Sequence, residues 1–137
     1  MPVVDFSGWV EPDLVIPLGG VDYTVHPPSV EGLKLIIALA IVFEKRHGLI
    51  EGDLSDSVTD AIASIGDTPM AVVSLGQDIY DRMEADGVSR ATRARVGLYA
   101  VNYWARGKAR ADVLAHAMWD PDEDEATDGP GEQDPKA

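Results

Sequence analysis

The hydrophobic pattern begins with two short β-prone runs on either side of Gly19-Gly20, between Leu14 and Val25. Glycine supplies the positive φ angles of a tight two-residue turn, so this stretch predicts a β-hairpin. Pro27 and Pro28 cannot donate to a ladder and hold His26 extended, which ends the pairing. Ser29 then stands where a helix N-cap belongs. From Ser29 to His47 the residues Leu33, Leu35, Ile36, Ile37, Leu39, Ile41, Val42 and Phe43 are apolar nearly all round a helical wheel. Such a helix is buried on most sides, and at roughly 1.5 to 3 kcal/mol per fully buried large side chain it is expected to supply the largest share of the core. Lys45, Arg46 and His47 complement its C-terminal dipole, and Gly48 is a natural residue to follow.

Farther on, Val58, Ile62 and Ile65 repeat at helical spacing before Gly66, and Asp67-Thr68-Pro69 signals a restart. Val72, Leu75, Ile79 and Met83 predict a third helix, closed by Gly87. Ser89 caps a fourth, with an inward stripe of Val96, Tyr99 or Ala100, and Tyr103. Gly107 marks a stop or kink before a last short helix that ends near Trp119. The fold class expected is mainly α: an N-terminal β-hairpin followed by a compact bundle of four or five helices and a disordered acidic C-terminal tail. Residues 1–28 form a leader and the hairpin, 29–119 the helical body, and 120–137 the tail. In the leader, Phe6 and Trp9 are candidate anchors against the core. No internal repeat is evident.

Length and charge sharpen this picture. A chain of 137 residues is one domain's worth. With no Cys it has no disulfide framework, no thiolate chemistry and no Cys-ligated zinc, which suits a reducing cytosol. The N-terminus lacks a secretory signal pattern, and Leu33 to Phe43 is too short to span a bilayer, so no membrane partner is expected. Of the net charge of −13, residues 120–137 carry −7, from eight acids against Lys136. Their low hydrophobicity and dense charge predict disorder. So acidic a protein is a poor general binder of nucleic acid.

Candidate chemistry is sparse. His26, His47 and His116 have no metal-ligand spacing. Asp120, Asp122 and Asp124 imitate the start of a calcium loop, but Glu125 stands where Gly is needed and Gly131 where Glu is needed. There is no phosphate loop, dinucleotide fingerprint or nucleophile elbow, so neither an enzyme nor a cofactor is expected. One island has the opposite sign: Gly87 to Ala111 holds Arg90, Arg93, Arg95, Arg106, Lys108 and Arg110 and no acid. Arg90 and Arg93 fall in the first turn of their helix, against its dipole. Two readings follow. Either the island is a solvated face paired with acids of the third helix or the tail, or Arg90, Arg93, Tyr99, Tyr103 and Trp104 grip an acidic partner segment, as Arg and aromatic residues do at interfaces.

The hairpin and cap carry a resemblance. Leu14, Ile16, Pro17, Gly19, Gly20, Tyr23, Val25, Pro27, Pro28 and Ser29 resemble the opening of a family of tail assembly chaperones from long-tailed phages of actinobacteria. Asp86-Gly87-Val88-Ser89 and the Ala-rich end from Ala115 to Trp119 are further echoes, so the likeness spans about residues 5 to 119. Val21 and Asp22, where the family has a small residue or Lys before Tyr, and the Arg-rich helix after Ser89 depart from it. The resemblance implies an all-helical body after the hairpin. It also implies a chaperone that binds the tape measure protein in the host cell cytoplasm, helps recruit tail tube protein and is absent from the mature virion. Homo-oligomers and association with its own frameshifted longer form are further partners it implies. The codons GAC CCA AAG for Asp134-Pro135-Lys136 would contain a −1 slippery heptamer. The alternatives are a structural virion component, such as a head-tail connector or tail terminator, and a host-directed regulator with a tail that mimics nucleic acid.

Overall fold

The computed structural model describes residues 12–120. The expectations for Phe6 and Trp9 and for the acidic tail beyond Asp120 lie outside these residues. Strands β1 (Leu14–Leu18) and β2 (Val21–Val25) pair antiparallel, with Leu14 opposite Val25, Ile16 opposite Tyr23 and Leu18 opposite Val21. Gly19 and Gly20 take φ values of 62° and 85°, the left-handed pair that a tight hairpin loop requires. Alternation does the rest: Leu14, Ile16, Tyr23 and Val25 face inward and are buried, while Val15 is 49% exposed.

Helix α1 (Val30–Arg46) starts where expected, with the Ser29 hydroxyl accepting from the Gly32 N–H at 3.0 Å. Ile36, Ala38, Ala40, Phe43 and Glu44 are buried in it, and the other large apolar residues of its middle are half-buried. Helix α2 (Asp56–Ile65), capped by Ser55, lies against α1 and has no fully buried residue. Next come α3 (Met70–Leu75) and α4 (Gln77–Ala85), then α5 (Arg90–Arg106), capped by Ser89, and α6 (Lys108–Trp119).

Among the described residues six helices therefore stand where the sequence pattern suggested four or five. The expected third helix is two, divided at Gly76, whose φ of 93° and ψ of 150° lie in a region essentially closed to other residues. On either side of this break Leu75 and Met83 still reach one core. Gly107 makes the corresponding break between α5 and α6, with φ 99° and ψ 164°.

Helix α5 is the hub, packing on α1, α3, α4 and α6. Its fully buried positions are Arg93, Gly97, Ala100, Val101, Asn102 and Trp104. The inward stripe is thus displaced from the expected one: Ala100 lies on it, while Val96, Tyr99 and Tyr103 are half-buried on its flank. Small residues explain the shift. Gly97 lies so close to α3 that a Cβ there would stand 2.6 Å from both Cα and Cβ of Ala71, and the Ser74 hydroxyl donates to the Gly97 carbonyl at 2.9 Å. At the other end of α5, Arg106 makes two hydrogen bonds to Glu44 of α1, Nε to Oε2 at 2.8 Å and Nη2 to Oε1 at 2.9 Å. The Glu44 side chain is 5% exposed and that of Arg106 34%. This fork, with Arg110 Nη2 at 3.9 Å, fastens α1 to the α5–α6 corner.

Two further contacts seat the hairpin on the helices. Tyr23 donates its phenol proton to Asp86 at the end of α4, O to Oδ2 2.6 Å, and Arg82 lies 5.1 Å above the Tyr23 ring. Both partners belong to the C-terminal end of α4, Arg82 in its last turn and Asp86 at its cap. The strands are thereby held against the end of α4, and β1 faces α5 across a cleft.

Candidate functional site

Strand β1 does not lie flush on α5. Between them runs a cleft of about 440 Å³, walled on one side by Asp13 to Pro17 and on the other by Val96, Tyr99 and Tyr103, with Lys108 at the start of α6 closing one end. The positions follow from local rules. Strand alternation turns Val15 outward, and residues 96, 99 and 103 share one helix face at spacings of three and four. Among the described residues β1 pairs with no strand but β2.

The polar groups of the cleft are committed to fixed partners. Tyr99 donates to Asp112 Oδ1 at 2.6 Å, and Lys108 Nζ meets Asp112 Oδ2 at 2.6 Å. Burial and then the bond to Asp112 push the Tyr99 phenol far above its ordinary value, keeping it protonated at any physiological pH. The hydrogen bond from Lys108, and after it that from Tyr99, holds the Asp112 carboxyl below the usual carboxylate range. Its bond to Asp112 raises Lys108 in turn. At the strand end, His26 Nδ1 lies 2.9 Å from Asp13 Oδ1. A tyrosine locked neutral, flanked by a paired cation, makes an apolar wall with fixed polar edges.

Of the five residues singled out in the sequence, the structure brings three together. The rings of Tyr99 and Tyr103 lie 6.2 Å apart and tilted by 30°, and Trp104 meets Tyr103 edge-on at 4.9 Å and 89°. Tyr99 and Tyr103 line the cleft, while Trp104, 7% exposed, stands behind them in the core. Arg90 and Arg93 do not join them. Thirteen residues separate Arg90 from Tyr103, about 20 Å along the helix axis. Arg93 is buried: its guanidinium lies 4.6 Å above the Tyr80 ring, its Nε donates to the Val88 carbonyl at 3.1 Å, and Nη1 is 4.0 Å from Glu84. Its pairing is with the α4 segment, as the solvated-face reading expected, but from within the protein. Arg90 is exposed, beside Met70, Tyr80 and Ala94.

Sequence reasoning missed Asp13, Val15, Val96 as a wall residue, and Asp112. Val15 sits on the outward face of a strand read only for its turn, Asp13 just precedes that strand, and Asp112 acts through a tertiary contact. Glu44 did leave a signal: one acid between Phe43 and the basic end of an otherwise apolar helix. Among the described residues no three His, Asp or Glu gather where they could hold a metal ion, and no helix is long and apolar enough to cross a membrane.

No curated protein and no solved structure matches the chain. A family profile described as a domain of unknown function, DUF7426, does match, over residues 4–137, and the chain therefore belongs to that family.

Proposed function

We propose that this protein is a phage tail assembly chaperone that acts by binding rather than by catalysis. In this reading it holds the tape measure protein soluble in the host cytoplasm, assists recruitment of tail tube protein and is left out of the finished virion. The observation that carries the reading is the cleft between β1 and α5. Leu14, Ile16 and Pro17, which belong to the motif that resembles such chaperones, are also residues that wall it. Facing them, Tyr99 and Tyr103 offer wide, rigid contact area at little conformational cost, as interface anchors do. A segment of an apolar client that enters this cleft would cover Val15 and both rings.

Co-expression of the full chain with the tape measure protein of the same genome tests the reading. Soluble tape measure protein that copurifies with the chain, and is lost with Val15→Glu, is the expected result. Val15 is half exposed on a strand, so this change spares the core. Insoluble tape measure protein despite co-expression, together with the chain in purified particles, would overturn the proposal in favour of a structural virion component. In the same reading a −1 frameshift at or near the codons for Asp134-Pro135-Lys136 adds a longer product. Mass spectrometry of products from the native gene with its downstream DNA would reveal that species.

A further inference from the structure

Helices α1 and α2 leave a second groove on the molecule, about 630 Å³, on elements separate from the β1–α5 cleft. Its floor is Leu35 and Ile41 of α1 with Val58 and Ala61 of α2, none of them fully buried. Alone among the described helices, α2 buries no residue completely, although its Val58, Ala61, Ile62 and Ile65 form one apolar face. The rim is acidic, with Glu31 on one lip and Asp60 on the other. The one rim cation, Lys34, has Glu31 Oε1 at 3.5 Å. The segment that carries α2 keeps the same sign: from Glu51 to Asp67 the sequence has five acids and no Lys or Arg.

We propose that this groove is a docking site for an amphipathic helix of another protein, its apolar face flanked by Lys and Arg. A furrow between two helices accepts a third through side chains at i, i+3, i+4 and i+7, and the ten residues of α2 offer about three turns of contact. Charge selects among occupants. Basic flanks would meet Glu31 and Asp60 and be steered by the wider acidic surface, whereas residues 120–137 of this chain, with eight acids and one lysine, carry the wrong sign. The groove is independent of the chaperone reading, because neither its floor nor its rim includes a residue of the tyrosine cleft.

The test uses the full chain and a labelled synthetic peptide of about 18 residues, with Leu on one helical face and Lys on the other, long enough to exceed three turns. Fluorescence anisotropy should show saturable binding. Asp60→Lys should weaken it about fivefold, the scale of one reversed rim charge, and Asp22→Lys, which changes net charge equally on the hairpin, should leave it unchanged. Amide NMR shifts on titration should centre on Leu35, Ile41, Val58 and Ala61. Both substituted positions are exposed, so folding is not at issue. Equal weakening by both variants, equal binding of a scrambled peptide of the same composition, shifts centred on Tyr99 and Tyr103, or no binding at all would each overturn the proposal. So would a dimer in sedimentation that Asp60→Lys dissolves and the peptide displaces, since a second copy would then be the occupant.

Discussion

Replacing Gly97 by alanine isolates what holds the hub helix in place. In a free helix the change is favourable by about 1 kcal/mol, because alanine restricts the unfolded chain and glycine does not. Here the added methyl would stand 2.6 Å from the Cα and Cβ of Ala71 and 3.2 Å from its backbone nitrogen. Backbone cannot swing aside as a flexible side chain can, so α3 and α5 must separate, stretching the buried bond from Ser74 to the Gly97 carbonyl. Overpacking of this kind costs up to about 3 kcal/mol, and after the propensity gain about 2 kcal/mol of destabilisation remains. For a domain of this size that lowers the melting temperature by about 8 °C. Thermal unfolding followed by circular dichroism measures it directly. Adding Ala71→Gly should restore only part of the loss, because the Ala71 Cα is as close as its Cβ. A Gly97→Ala protein that melts at or above the parent temperature would refute the reasoning, since the contact between α3 and α5 would then have slack.

Other consequences can be checked with the same equipment. Arg106→Ala strands a Glu44 carboxylate whose side chain is 5% exposed and should cost about 3 kcal/mol in urea unfolding, whereas Glu44→Ala leaves an arginine already one-third in solvent and should cost roughly half as much; equal costs would contradict the burial asymmetry. In alkali, Tyr99 is the group to follow. Its folded value lies above the unfolded 10.0, so its contribution to stability is complete below pH 10 and is lost as pH rises beyond it; Tyr99→Phe should lessen the alkaline decline, and the absorbance titration should lose a late-ionising phenol with it, Tyr23 being raised as well. At the acid end the sign reverses: the depressed Asp112 contributes stability above the usual carboxylate range that is lost as pH falls through its lowered value, so Asp112→Asn should flatten the acid limb of the stability curve. Gly76→Ala, at a position whose surroundings are empty, should still destabilise by about 2 kcal/mol through backbone strain alone, and an unchanged melting temperature would show that α3 and α4 can fuse.

Local signals were legible in the sequence where they settle the structure by themselves. Gly19-Gly20, the Pro27-Pro28 stop and the Ser29 and Ser89 positions act within a few bonds of the backbone they shape, and the hairpin and the starts of α1 and α5 follow from them. The break at Gly76 escaped because Val72, Leu75, Ile79 and Met83 keep helical spacing through it, and periodicity records which face is apolar, not whether the axis bends. By its charge alone Arg93 is expected at the surface. Its burial depends on the Tyr80 ring and the Val88 carbonyl, which reach it only once α4 and α5 have folded together. Tyr99 and Tyr103 were placed in a binding role on residue type alone. What the pattern could not supply was the opposing wall, Asp13 to Pro17, because contact between a strand and a helix so far apart in sequence leaves no period to detect.

Because α2 buries nothing completely and is tied back mainly to α1, its opening need not disturb the hub around α5. Amides of residues 56–65 should therefore exchange with solvent through a local, sub-global event while those of α5 wait for global unfolding, and a protease should nick the segment between α1 and α3 first. Exchange of that kind would divide the domain into two cooperative units of unequal strength, a tight hub and a detachable outer helix. Whatever covers that helix gains influence over the lifetime of the protein as well as over its shape.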